Sequence, residues 1–518
     1  MLSSRYILLP NRNKFLQRTM RFFATMLLGL LLLSCSTSKH SVKIKENMHP
    51  KREFRGAWIQ AVNGQFMGMD EAAMKGYLTT MLDNLQKINV NAIIFQVRVE
   101  GDALYSSPYE PWSRYMLGKQ GQNPGWDPLA FMVGEAHKRG MELHAWINPY
   151  RARTKGTKAV ASNHQSALNP RNFIEYEGQL YFNPSLQENR DHICKVITDI
   201  VTRYDVDGLH IDDYFYPYPV NGKQFADDKW FRASGYADKG LWRRQNVNLL
   251  IEQIHKTVRA AKPWVKFGVS PFGIYRNVGS WEGGSRTNGL QSYDDLNADV
   301  LYWIEQGWVD YCIPQVYWEI GHKAADYETL VGWWAKYAAE RPLYIGQDVN
   351  RTVKAKDTSN PARHQLVQKM DIQRSHSSVQ GSCLWDAASA ANNVGGYRDI
   401  LAQGYHRYPA LMPAAPFIDK KAPAKVKGVE LIEDNGANVL VWIPSECSDA
   451  MNAPASYVVY RFAKGEKVNL ASPANIVAIT KATYYKIPAG EKGKYTYVVT
   501  VLDRVQNESK GVKCKVNL

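Results

Sequence analysis

The chain of 518 residues has only six cysteines, with no Cys-x-x-Cys pair and no Cys/His cluster. A disulfide framework and a structural zinc knot are therefore excluded as organising devices. No block of five basic residues and no zinc-finger or RNA-binding signature occurs, so the formal charge of +15 does not mark a nucleic-acid partner. No apolar run reaches the roughly 20 residues of an easy membrane-spanning helix. No solenoid-type repeat is visible, and 37 Gly and 24 Pro supply turns without collagen-like or low-complexity bias. The remaining composition, 45% hydrophobic and 22% charged, excludes disorder as the main state. The length calls for about two or three domains.

The N-terminus also lacks something: residues 1–34 contain Arg5, Arg12, Lys14, Arg18 and Arg21 but no acid. Behind these cations runs Phe22-Phe-Ala-Thr-Met-Leu-Leu-Gly-Leu-Leu-Leu-Leu33, an apolar segment of signal-peptide length. It ends Leu33-Ser34-Cys35, and this order of basic, apolar, small and Cys resembles a bacterial lipobox. The resemblance implies lipidation of Cys35 and a membrane anchor, with 35–51 as a polar tether. Loss of the signal lowers the formal charge from +15 to +10. By resemblance to lipoprotein sorting, Ser36 after Cys35 implies an outer-membrane lipoprotein facing the periplasm.

From residue 52 to 408, short apolar runs alternate with amphipathic helical stretches such as 70–89 and 327–339. Eight strands are expected, at 56–62, 92–99, 142–149, 208–214, 266–272, 311–317, 343–349 and 381–387. Eight strands alternating with helices over this length predict an α/β protein with a (β/α)8 barrel rather than an open sheet. Period two within the strands agrees. Ile93, Phe95 and Val97 oppose Ile94, Gln96 and Arg98, and Leu209 and Ile211 oppose His210 and Asp212, so one face is apolar and the other turns polar towards the strand ends. After residue 408 the helical period disappears. A Pro/Ala linker spans 409–422, and strand-like runs around Trp442, at 457–462 and at 495–502 make 423–518 resemble a fibronectin type III β-sandwich. Cys447 and Cys514 are the one pair left to test as a bridge.

The densest constellation is Asp207-Gly-Leu-His-Ile-Asp-Asp-Tyr214. Asp212 ends the fourth strand on the inward face, where barrel enzymes carry catalytic groups, and Asp213 opens the next loop. Glu319 continues the inward register of Gln315 and Tyr317 beyond the sixth strand. It therefore faces Asp212, the expected nucleophile or base, as the expected proton donor, with Asp213 tuning or positioning. Asp348 and Asp386 compete, and Asp386 has the better register. Arg98, His144, Asn148, Tyr150, His210 and Gln315 are the expected polar contacts, Trp58, Trp112, Trp126, Trp146, Trp318 and Trp385 offer flat faces for sugar rings, and Tyr317 is a further expected substrate contact.

These residues carry a resemblance. Phe54-Arg-Gly-Ala-Trp58, Phe95-Gln-Val-Arg98, His144-Ala-Trp-Ile-Asn-Pro-Tyr150, Asp207 to Tyr214, Gly268-Val-Ser-Pro-Phe272 and Pro314-Gln-Val-Tyr-Trp318 look like the glycosyl-hydrolase-like family ten lipoproteins of bacteria. The resemblance implies a barrel glycoside hydrolase acting on a polysaccharide, with peptide-free peptidoglycan glycan strands as the substrate class, and it carries the strand-four Asp over as Asp212. No cofactor or metal is expected. Two other classes remain open: a metal-dependent barrel hydrolase using His144, His210 and Asp212, and a non-catalytic glycan-binding lipoprotein.

Overall fold

The computed structural model describes residues 49–338 and 340–518. The signal segment, Cys35 and nearly all of the tether lie outside the described residues. In chain order the first eleven strands are β1 (Phe54–Ile59), β2 (Ala92–Arg98), β3 (Glu142–Ile147), β4 (Arg151–Arg153), β5 (Phe173–Tyr176), β6 (Gln179–Phe182), β7 (Gly208–Ile211), β8 (Lys266–Val269), β9 (Tyr311–Cys312), β10 (Leu343–Asp348) and β11 (Val379–Trp385). Eight of them close a parallel barrel in the order β1-β2-β3-β7-β8-β9-β10-β11, with β11 pairing back to β1. Each coincides with one of the eight expected strands. The other three form a small antiparallel sheet, β4-β6-β5, hung from the end of β3.

Alternation decides the two faces. Ile93, Phe95, Leu143, Ala145, Leu209 and Ile211 point outward into the main core under the helices, while Phe54, Trp58, Ile94, Trp146, Tyr311 and Tyr344 fill the interior. Helix Glu71–Gln86 shows how the outer layer is built. Asp70 caps it by accepting from the Ala73 N–H at 2.8 Å, and Met74, Leu78, Met81, Leu82 and Leu85 form its buried stripe.

A polar spine runs down the barrel axis. The Trp58 indole donates to His210 Nε2 (3.3 Å), so His210 Nδ1–H meets the Tyr311 hydroxyl (3.1 Å). That hydroxyl in turn reaches His144 Nδ1 (2.7 Å), whose Nε2 meets Glu142 (2.9 Å). At the base Lys266 and Gln506 both donate to the other oxygen of Glu142, at 2.5 and 2.8 Å. Gly208 and Gly268 leave room for this spine, since a Cβ on either would strike the His144 or Tyr311 ring.

Seven further strands, β12 (Val429–Asp434), β13 (Ala437–Trp442), β14 (Ser456–Ala463), β15 (Ile476–Thr480), β16 (Tyr484–Lys486), β17 (Lys494–Leu502) and β18 (Val512–Asn517), form two antiparallel sheets, β12-β13-β16 and β15-β14-β17-β18. Trp442, Tyr457, Val459, Tyr497 and Val499 pack between them. This β-sandwich sits against the base of the barrel, where Arg504 meets Asp205 (2.7 Å) and Gln506 reaches Glu142. Leu411 of the Pro/Ala segment pairs with Arg52 and packs on Val458, Tyr460 and Phe462 of the sandwich. Cys447 and Cys514 are both free thiols.

Candidate active site

At the open end of the barrel, β7 stops at Ile211, leaving Asp212 inward by alternation. The chain then bends, so that the Asp213 carboxylate opens onto the same cleft. The Tyr214 N–H folds back onto Asp212 Oδ1 (3.3 Å), the Trp146 indole donates to Oδ2 (3.1 Å), and the Asn148 amide lies 3.3 Å from Oδ1. Asp213 accepts from the Tyr218 hydroxyl and from Gln315. Both carboxylates are buried, each 4% exposed.

The cleft they share holds about 270 Å³ and has an aromatic inner end. Trp385 meets Trp58 edge-on at 6.3 Å and Trp146 at 6.2 Å, and Tyr317 stacks on it at 6.3 Å. Arg151 lines one wall, its guanidinium 4.9 Å over the Tyr214 ring. A second cavity of about 200 Å³, walled by Tyr176 and Tyr181 of the small sheet, adjoins this one and shares Tyr214 and Tyr218 with it. Gln96 is fully buried in the cleft wall. Its Oε1 accepts from the Ala61 and Val62 N–H groups (2.9 and 3.0 Å), which leaves Nε2 without a partner.

Burial, then the charge of Asp213, pushes the Asp212 carboxyl up to about 7 against the pull of Arg151, the Tyr214 N–H and the Trp146 indole. Burial also raises Asp213, while Tyr218 and Gln315 hold it back. The two titrate as a pair, since the charge of one opposes ionisation of the other, and the pair keeps a proton well above the ordinary carboxylate range. Below them, burial and neighbouring His144 lower His210 far beneath the usual imidazole value, so it is neutral.

Of the residues expected from sequence, Asp212, Asp213, Gln315, Tyr317, Trp58, Trp146 and Trp385 line the cleft, and Asn148 orients Asp212. The others serve elsewhere. Glu319 does not line the cleft. The inward register holds as far as Tyr317 and is lost in the turn that follows, where Glu319 interacts with Lys369 of helix Leu366–Ser375. Asp386 caps helix Ala387–Ala391 by accepting from the Ser389 N–H at 2.7 Å, and Asp348 caps the helix that follows it in the same way. Arg98 forms a buried fork with Glu110 (2.8 and 2.6 Å) and braces the Asn148 carbonyl. Tyr150 sits in the outer core, and Trp318 packs edge-on against Phe272. His144 and His210 belong to the spine, with both ring nitrogens of each engaged. Among the described residues no three His, Cys, Asp or Glu side chains are grouped to hold a metal. Sequence reasoning missed Gln96, Arg151, Tyr214 and Tyr218 as cleft residues. For Gln96 the signal was present, because it shares the inward register of Arg98 one step nearer the mouth's aromatic floor.

A closed parallel barrel whose strand ends offer paired carboxylates to an aromatic cleft has the build of a barrel glycosidase. The chain belongs to the glycosyl hydrolase-like 10 family, whose profile matches residues 53–362. It is 37% identical over 505 residues to glycosyl hydrolase YngK of Bacillus subtilis (strain 168), covering 95% of this chain and 98% of that protein. Glycosyl hydrolase DigH of Escherichia coli (strain K12) is 41% identical over 279 residues, which span 51% of this chain and 63% of the relative. Among solved structures, the endo-beta-1,4-mannanase from Thermotoga petrophila aligns over 90% of this chain and 97% of its own, at 9% identity and a TM-score of 0.44.

Proposed function

We propose that this protein is a lipid-anchored glycoside hydrolase that cleaves glycosidic bonds in peptide-free peptidoglycan glycan strands. The observation that carries the hydrolase reading is the buried Asp212–Asp213 pair at the end of β7, opening on the aromatic cleft. A pair that keeps a proton well above the ordinary carboxylate range supplies a proton donor for the leaving oxygen with an anionic carboxylate beside it. The adjoining tyrosine-walled cavity supports a polymeric substrate, because it gives a neighbouring sugar somewhere to lie. The name glycosyl hydrolase borne by YngK and DigH agrees with this reading. The sandwich, read as a fibronectin type III-like module, acts as spacer or wall-binding element.

Purified protein should release new reducing ends from peptide-free glycan strands. Asp212→Asn should lower that rate by about 10²- to 10⁴-fold, and an unchanged rate would remove Asp212 from the chemistry. Anchoring at Cys35 on the periplasmic face of an outer membrane predicts that Cys35→Ser moves the protein from the membrane to the soluble fraction. It also predicts that protease added to intact cells leaves the wild-type protein whole.

A further inference from the structure

We infer that the nucleophile in this cleft belongs to the substrate: the 2-acetamido oxygen of an N-acetylhexosamine attacks its own anomeric carbon, with Asp212 holding the amide N–H and Asp213 protonating the leaving oxygen. The inference rests on the glycosidase reading above and deepens it. Hydrolysis by two enzyme carboxylates needs them on opposite sides of the scissile bond, about 5 to 10 Å apart. Here Asp212 and Asp213 are the only carboxylates lining the cleft among the described residues, and they are consecutive in the chain. Glu319, the residue expected to face them, does not line the cleft and acts electrostatically on Lys369. With no carboxylate on the far wall, a group carried by the substrate completes the chemistry.

The cleft suits an acetamido group. Trp58, Trp146, Tyr317 and Trp385 make an apolar box for its methyl, directly beside Asp212. The protein partners divide the labour between the acids. Asp212 receives only N–H donors, from Trp146, Asn148 and Tyr214, which favour its anionic form. Asp213 accepts from Gln315 and from the Tyr218 hydroxyl, and that hydroxyl can turn to accept when Asp213 carries a proton. When the substrate's amide N–H is seated on Asp212 it favours the anion there, and the pair's proton is left on Asp213. The free Gln96 Nε2–H is left for a sugar oxygen.

In the first step the acetamido oxygen bonds to C1 while the C1–O bond to the next sugar breaks. Its electron pair goes to the leaving oxygen, which takes the Asp213 proton, and the amide N–H proton passes to Asp212, giving a bicyclic oxazoline. In the second step water gives a proton to Asp213 and its oxygen to C1. The oxazoline ring opens, and the nitrogen regains its proton from Asp212. The anomeric configuration is retained and both carboxyls return to their starting states.

The test uses the full-length protein with two readouts. The anomer of the first-formed product is followed by NMR on peptide-free strands and on the same strands after N-deacetylation. Binding of the thiazoline derived from N-acetylglucosamine, a stable mimic of the oxazoline, is measured by calorimetry. Retention, loss of cleavage on N-deacetylation, and thiazoline binding weakened about 10- to 100-fold by Asp212→Asn are expected. Asp213→Asn should slow natural strands about 10²- to 10⁴-fold; with a dinitrophenyl N-acetylglucosaminide, whose leaving group needs no proton, it should keep a rapid first burst of dinitrophenolate but slow the turnover that follows, where water needs Asp213 as its base. Inverted product, or deacetylated strands cut as fast as intact ones, overturns the inference and leaves the glycosidase reading standing. If no glycan is cut, that reading fails, and the calorimetry alone decides: thiazoline bound and lost on Asp212→Asn supports an acetamido site, and no binding overturns it.

Discussion

Asp212 keeps its chemistry at the expense of the fold. Its carboxyl titrates near 7 rather than at the ordinary 3.8. A raised folded-state value means that the folded chain binds this proton more tightly than the unfolded chain. Stability therefore falls as pH rises from about 4 to about 7 and stays lowered above that. Asparagine carries no charge, so Asp212→Asn should unfold at higher urea than wild type at pH 8, by about 1–3 kcal/mol, and at nearly the same urea at pH 4. An equal gain at both pH values would mean that burial does not strain this carboxylate. Asp212 was legible in the sequence because β7 alternates cleanly and stops one residue before it. Glu319 was misread because β9 ends at Cys312, and a period of two has no force once a turn begins. Asp386 was misread although its signal was present: Asp386-Ala-Ala-Ser389 at the start of an alanine-rich run is a helix cap.

The barrel strands were readable as elements because the outward face of each is covered by helices and the inward face is not wet until the strand ends. Each therefore shows an apolar stripe at period two. The β4-β6-β5 sheet escaped notice. Its strands are three or four residues long, too short for a period to declare itself, yet it walls the second cavity. The interior spine was half legible, since His144 and His210 were seen to point inward but their engagement with Tyr311 was not. That engagement makes β8 sensitive to volume. Gly268→Ala sets a methyl against the Tyr311 ring and should cost about 1–3 kcal/mol of stability in urea unfolding. Tyr311 also holds His210, and His210 holds Trp58. The variant should therefore also show altered near-ultraviolet circular dichroism from the cleft tryptophans, whereas a purely local effect would leave that spectrum alone.

For the whole molecule, the loss of helical period after residue 408 was enough to announce a second all-β unit. Nothing in the sequence announced where it sits. Arg504 and Gln506, which fasten it to the barrel, lie in a loop between β17 and β18 and look like any surface turn. Gln506→Ala removes one of the donors to buried Glu142 and should cost about 1 kcal/mol. Faster proteolytic cutting in the 409–422 segment, with glycan cleavage unchanged, is the expected result; slower cleavage would tie the sandwich to the chemistry. The segment that leads into the barrel has a directional effect of its own. Lys51 is held by Glu508 of the sandwich and pairs its backbone with Leu411, so the chain arrives at the closed end. Every barrel strand then runs from there towards the cleft. Any restraint acting through residues upstream of Lys51 pulls on the end opposite the mouth. The place where the chain enters and the cleft where it works are thus at opposite ends of the barrel, and neither obstructs the other.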